Sequence, residues 1–341
     1  MAATMKQIAE LAGVSIGTVD RALNDRGRIN PDVKQRILDI AKALNYTPNL
    51  VAKSLSVRKR NLKIGFVLHA QHNYFHDTII AGVQRAANEL ADHGVEILIQ
   101  EAENNSAADQ LRRIHALLEE NVSGIAICPV DDNAVREKLK EIHMAGIPIV
   151  LVGGFSSNPD CLCHVGQDSH QKGRIIANLL SLMLPQSRLL VFSAPLHIFG
   201  PKGVLRGLRE SISAEYKDIV LEDVIELSDD EFSNYEISKA ALSAHPDTNA
   251  VLFASVSVTG SLRALQELEA NGRSLRAITT FCSPEIQQAL ANGLIDASVW
   301  CDQEFTGYQA IRVLFDYLVG DQKPQQENVF AEQHISLKQS I

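Results

Sequence analysis

No apolar run in this sequence approaches a membrane span. The longest, such as residues 147–152, are of strand length, against about 20 residues for a spanning helix. The N-terminal stretch lacks the long apolar core of an export signal, so the expected setting is the cytosol. Cysteine is scarce: five residues, at 128, 161, 163, 282 and 301. An odd and scattered set argues for reduced thiols rather than a disulfide framework. Cys161-Leu162-Cys163-His164 holds ligand-type residues, but no second pair stands at zinc-like spacing, so no metal is expected. Catalytic and cofactor signatures are missing too. There is no Walker sequence, no G-x-G-x-x-G after a strand and no G-x-S-x-G. Asp131-Asp132 are merely adjacent acids, without a nucleophile–base pattern. Neither an enzyme nor a cofactor is expected.

Charge is present, and it is divided. The chain of 341 residues carries a net charge of −9. Residues 1–63 hold 12 Lys and Arg against 5 Asp and Glu, a net charge of +7, which leaves −16 for the rest. A basic head on an acidic body concentrates attraction for phosphate at one end. With hydrophobic residues at 45%, the remainder has ample material for large cores and about two domains.

The head reads as two short helices on a tight turn. Ile8, Leu11 and Ala12 form an apolar stripe at helical spacing. Gly13 ends that helix, because glycine readily takes the left-handed conformation. Ser15 can cap a second helix whose inner side is Val19, Ala22 and Leu23. Thr18 and Arg21 then fall near its exposed edge. This is the pattern of a helix-turn-helix, although a plain helical hairpin has the same periodicity. Asn30-Pro31 opens a third helix, with Val33, Ile37, Ile40, Ala41 and Leu44 inward. Residues 49–56 offer about two turns of further helix, too short to hold alone in water. Arg58-Lys59-Arg60 follows.

From residue 63 onward, strand and helix patterns alternate. Strands are expected at 64–68, 95–99, 125–128 and 147–152, with helices between them. A second series begins near Val165. Its strands are expected at 188–192, 219–225, 250–254 and 277–281, and a last helix at 304–319. Alternation twice over argues an α/β body of two doubly wound lobes, with a ligand cleft where the strands' carboxyl ends face each other.

AELAGVSIGTVDRALN, followed by INPDVKQRILDIAKALNYTPNLVAKSL, resembles the head and hinge of the LacI/GalR family of bacterial transcription regulators. The likeness covers roughly residues 4–58. It implies that the second helix lies in the major groove, with Ile16, Gly17 and Arg21 at base-reading positions. Arg21 suits guanine O6 and N7, Ile16 can touch only a thymine methyl, and Gly17 offers backbone and space. Ser15 and Thr18 match phosphate contacts. In the hinge, Asn49, Lys53 and Leu55 fall at contact positions, with Leu55 at the place of the family's minor-groove wedge. Plain hinge packing is the other reading of Leu55. Two residues depart from the family pattern. Asp20 stands where relatives carry Ser, and it must turn away, bond a basic group or meet a cytosine amine. Lys53 replaces Arg and lacks its planar fork.

The body is similar to the periplasmic sugar-binding fold, in its ribose-type branch. The resemblance implies an all-α helix-turn-helix head on a two-lobed, doubly wound, type I periplasmic-binding-protein-like body. The expected domains are 1–48 for the head, 49–62 for the hinge helix and linker, and 63–341 for effector binding and dimerisation. Lobe one would hold about 63–160 and 302–322, and lobe two about 161–301 and 323–341. Asn73, Phe75 and His76 fall on the branch's Asn-x-aromatic-aromatic, with His76 replacing the second aromatic. Phe75 can stack on a sugar face or pack within its lobe. Asp131 matches an acceptor of sugar hydroxyls, or else caps the next helix. Lys202 falls near a ligand-holding Arg, or else is a surface Lys. Asp168 reads as a helix cap. Ser255-Val256-Ser257 and Phe281-Cys282 replace acidic acceptors, which leaves Ser257 as a weaker polar group. Asp302 stands near an expected Gln.

The combined expectation is a dimeric DNA-binding regulator, in the family's usual direction a repressor. Its operator would be double-stranded and near-palindromic, because two heads need two half-sites. Its effector would be a small sugar or polyol. A receptor for a non-sugar ligand, a co-repressor-dependent regulator and an activator remain open alternatives.

Overall fold

The computed structural model describes residues 4–23, 29–44, 46, 61–68, 73–103, 106–153, 160–196, 199–228 and 230–341. The head is three helices: α1 (Met5–Ala12), α2 (Ile16–Leu23) and α3 (Pro31–Ala43). Thr4 and Gln7 close a capping box at the start of α1, and Gly13, at φ 66°, ends it. Asn30 caps α3, with Pro31 in the first turn. Ile8, Ala9, Ala12, Val19, Ala22, Ile37 and Ala41 make a separate small core. The expected stripes need two corrections: Leu11 is 63% exposed and Leu44 is exposed as well. Ala9 occupies the inner position instead, because Ile8, Ala9 and Ala12 share one helical face and Leu11 falls off it.

The first sheet has the order β11-β5-β4-β3-β1-β2. Its strands are β1 (Leu62–Leu68), β2 (Val95–Glu101), β3 (Gly124–Ile127), β4 (Ile149–Gly153), β5 (Cys163–Gly166) and β11 (Asn328–Phe330). All its pairs are parallel. Helices α4 (Tyr74–Ala91) and α12 (Gln303–Gly320) cover one face. Helices α5 (Ala107–Glu119) and α6 (Asn133–Met144) cover the other. At the α4–α12 crossing the backbones nearly touch. A Cβ on Gly82 would stand 2.0 Å from Glu304 O, and one on Gly307 2.0 Å from Ile79 O.

The second sheet has the matching order β12-β10-β9-β8-β6-β7. It is built from β6 (Ser187–Ser193), β7 (Ile219–Glu226), β8 (Ala250–Ala254), β9 (Arg276–Thr279), β10 (Ala297–Cys301) and β12 (Gln333–Leu337). Only β12 runs antiparallel, against β10. Helices α7 (Ser169–Met183) and α8 (Phe199–Ala214) pack on one face. Helices α9 (Glu231–Ala244), α10 (Thr259–Ala270) and α11 (Pro284–Asn292) pack on the other.

Both sheets carry the doubly wound order, with switch points at β1/β3 and β6/β8, where such folds open a crevice for ligands. The expected lobe limits shift. Residues 163–166 and 328–330 belong to the first sheet, so the chain passes between lobes after Gly166 and again after Phe330. The reason is register. Val150↔Cys163 and Val152↔Val165 extend the sheet by one buried strand, whose far edge is then closed by Asn328–Phe330. The middle passage runs from Cys301 to α12.

Candidate functional site

On the head, α2 presents one side outward. Ser15 Oγ accepts from Thr18 N at 3.2 Å and lies 2.9 Å from Thr18 Oγ1. That cap fixes both hydroxyls at the helix start. Ser15, Ile16, Gly17 and Arg21 are exposed, and Thr18 is half-buried. Arg21 Nε donates to Gly17 O at 3.1 Å. The guanidinium thus lies along the same edge as the glycine. Asp20, the departure from the family pattern, approaches the Tyr46 phenol. Burial chiefly raises that phenol's pKa, and the negative Asp20 raises it further. Asn49, Lys53 and Leu55 lie outside the described residues.

In the body, the residues expected at the ligand cleft divide into two sets. Phe75 makes one contact across the lobes, and Asp131 and Lys202 make another. Phe75 meets Phe281 of the second lobe edge to face, with ring centroids 6.0 Å apart. Asp131 Oδ2 lies 3.6 Å from Lys202 Nζ. The cap reading of Asp131 is excluded, since Asp132 caps α6 through Ala134 N. Asp131 is instead held by Arg136 on one side and Lys202 on the other. Tyr74, next to Phe75, faces the second lobe as well. Burial above all raises its phenol's pKa, and Cys282, Asp302 and Glu285 add to the effect.

The other set is occupied with structure. Asn73 caps α4 through His76 N at 3.1 Å. His76 is buried, with Nδ1 3.1 Å from Asp77 Oδ1 and Nε2 3.1 Å from Glu101 Oε2. It ties the start of α4 to the end of β2 instead of replacing an aromatic in the cleft. Asp302 caps α12 through Glu304 N and Phe305 N. Ser257 is held by its backbone: its N–H donates to Ser255 Oγ at 3.2 Å, and its carbonyl accepts from Asn234 Nδ2 at 3.0 Å. Asp168 caps α7 through Gln171 N, as its sequence position suggests.

Sequence reasoning missed Lys172. It is fully buried on α7, and its ammonium donates to Gln167 Oε1 at 2.5 Å and to Thr280 O at 3.2 Å. It also lies 5.6 Å from the Phe281 ring centroid, so it supports the aromatic that touches Phe75. Desolvation pushes its pKa down. The signal was available: Ser169, Lys172, Ile176 and Leu180 share one helical face, and the others are buried. Beside the cleft, a cavity of about 480 Å³ opens between the start of α7, the first turns of α8 and β11, with Lys202 at its edge.

The five cysteines are free thiols, four of them buried and Cys161 half-buried. Burial pushes Cys128 and Cys163 up to about 12, and Cys161, with help from Asp160, up to about 11. Among the described residues no group of three or more His, Cys, Asp or Glu could hold a metal ion. Likewise, none of their helices is long and apolar enough to cross a membrane.

Comparison with known proteins covers both parts. Residues 4–49 match the model of bacterial regulatory proteins of the lacI family. Residues 64–322 match a periplasmic binding protein domain. The chain is 33% identical over 153 residues to the HTH-type transcriptional regulator RegA of Clostridium saccharobutylicum, covering 45% of this chain and 44% of that one. It is 31% identical over 160 residues to the HTH-type transcriptional repressor PurR of Mannheimia succiniciproducens, covering 46% of each. The chain thus spans about half the length of these curated relatives. In fold it is similar to GanP, a glucose-galactose binding protein from Geobacillus stearothermophilus. The TM-score is 0.74 at 19% identity, covering 82% of this chain and 98% of that one. With the two-lobed body matched over most of its length, the chain belongs to the periplasmic binding protein domain family, and its head, residues 4–49, is similar to bacterial regulatory proteins of the lacI family.

Proposed function

We propose that this protein is a sequence-specific DNA-binding transcription regulator, not an enzyme, and that a small polar molecule between its lobes sets its affinity for an operator. The observation that carries this reading is the exposed edge of α2. Ser15, Ile16, Gly17 and Arg21 face outward from a head that is basic while the body is acidic. Hydroxyls and a guanidinium on one helix edge suit phosphate and guanine in a major groove. Two heads on one near-palindromic site imply a homodimer, and the hinge contacts assigned to Asn49, Lys53 and Leu55 belong to the same proposal. A regulator of this kind works in the cytosol. Repression relieved by effector is the direction we assign, in line with the repressor title of the PurR relative.

The effector side rests on the cleft. Asp131 and Lys202 face each other from opposite lobes, and Phe75 meets Phe281. A ligand placed among them would hold the lobes at one spacing. It would shift DNA affinity only by its differential binding to the two arrangements. A sugar or polyol suits an aromatic face flanked by polar groups, and the glucose-galactose binding of GanP supports that class.

Removing residues 1–60 tests the division of labour. The body has its own cores, so the truncated chain should fold and keep ligand binding while losing DNA binding. Full operator affinity in the truncated chain would overturn the head's assignment.

A further inference from the structure

The cavity beside the cleft has a surplus of hydrogen-bond donors. Lys202 and Arg206 line it from α8, and His170 from α7. The one carboxylate among the described residues that line it, Asp168, already accepts from Gln171 N at 2.8 Å. His170 Nε2 is 2.6 Å from Glu210 Oε2. Arg206 reaches the other oxygen of Glu210 only at 3.9 Å, and Lys202 reaches Asp131 only at 3.6 Å. A guanidinium offers five N–H donors and an ammonium three, so both keep donors to spare. They also stand four residues apart on one helix, where like charges repel. An anion between them removes that repulsion.

A separate observation points the same way. Ser169 lines the cavity, and its hydroxyl is buried with no hydrogen-bond partner among the described residues. The carboxylates expected to receive neutral sugar hydroxyls are also absent or engaged. Ser257 and Cys282 stand at two of their places, Asp302 is spent as a cap, and Asp131 is paired with Arg136. The site has lost acceptors and kept donors, which suits a ligand that brings acceptors of its own.

We propose that the effector carries an anionic oxygen group, the carboxylate or phosphate ester of a small polyhydroxylated compound, and that this group binds in the cavity on Lys202, Arg206 and the Ser169 hydroxyl. This rests on the regulator reading above and names the effector's chemical class. Asn328 and Phe330 bring the first sheet to the same cavity. An anion there would therefore touch both lobes and draw Lys202 away from Asp131.

The test uses the full chain and four probes: glucose, glucose 6-phosphate, glucuronate and inorganic phosphate. Binding is read by calorimetry and by the shift in unfolding temperature, for the native protein and for Arg206→Gln. The expected result is binding of glucose 6-phosphate or glucuronate, weakened about tenfold or more in Arg206→Gln, as for loss of a charge-assisted hydrogen bond. Which of the two binds distinguishes the phosphate ester from the carboxylate. Inorganic phosphate should give a smaller shift that the same variant abolishes. Equal binding of glucose and its phosphate, untouched by Arg206→Gln, would overturn the proposal, and so would binding of none of the four. Operator binding measured on the same samples keeps the regulator reading separate, because that reading fails only if DNA is not bound.

Discussion

Asp131 Oδ2 and Lys202 Nζ stand 3.6 Å apart, one on the loop after β3 in the first lobe and the other on α8 in the second. The pair links the lobes at the mouth of the cleft. It is a weak link, because the Lys202 side chain is 65% exposed and Asp131 has Arg136 as another partner. Exposed pairs of this kind contribute about 0–1 kcal/mol. Lys202→Gln should therefore leave thermal unfolding almost unchanged while lowering effector affinity. Calorimetry beside a melting curve separates the two effects. A large loss of stability with intact ligand binding would make Lys202 a structural residue.

Gly82 and Gly307 let α4 and α12 cross with backbones in contact. A methyl group at either position would sit 2.0 Å from a carbonyl oxygen that cannot swing aside. Gly82→Ala should cost about 3 kcal/mol, the upper end of overpacking penalties, or more. Urea unfolding measures this directly. A cost below about 1 kcal/mol would mean that the helices separate easily, contrary to the packed face that they share with the first sheet.

Gly17 makes the opposite prediction. A Cβ there meets nothing closer than Ser15 Oγ at 3.9 Å. Alanine inside a helix is favoured over glycine by roughly 0.5–1 kcal/mol. Gly17→Ala should stabilise the head yet weaken operator binding, if the DNA approaches this bare backbone as proposed. Melting and DNA titration of the same variant provide the check. Unchanged DNA affinity would remove Gly17 from the interface.

Lys172 gives the folded chain a pH dependence of known sign. Burial lowers its pKa below the usual 10.5, so between those two values the unfolded chain binds more protons. Stability must rise with pH across that window, with a slope of up to about 1.4 kcal/mol per pH unit for one proton. Below the lowered value, the full cost of burying the charge is present. In Lys172→Met this rise should flatten, which denaturant melts from neutral pH to pH 10 would show. An identical rise in the variant would assign it to another group.

Much of this architecture is legible in the residues. Asn30 and Asp168 announce helix starts, and the alternation of strand and helix places most of the two sheets. What escapes depends on partners distant in sequence. The edge strand Cys163–Gly166 belongs to the first lobe because of its register with β4, and β11 is only three residues long. The helix Pro284–Asn292 was readable from Ser283-Pro284 and Gly293, but it sits between an expected strand and an expected long helix and goes unread. At the cleft, the resemblance implies that acidic acceptors are replaced at Ser257 and Cys282, and Asp131 and Lys202 do come together. His76 looks like a ligand group only until Glu101, on another strand, is placed beside it. Lys172 looks like surface charge until its helical face is counted.

The most direct measurement is fluorescence anisotropy of the chain's own promoter DNA at fixed salt, titrated with full-length protein and then with pools of neutral and acidic sugars. The account predicts saturable binding that weakens as salt rises and is released by one pool. It also predicts that Arg21→Ala lowers operator affinity by about 1–3 kcal/mol. Saturable binding that Arg21→Ala leaves intact, or no binding even at low salt, would contradict the claim that this head reads DNA.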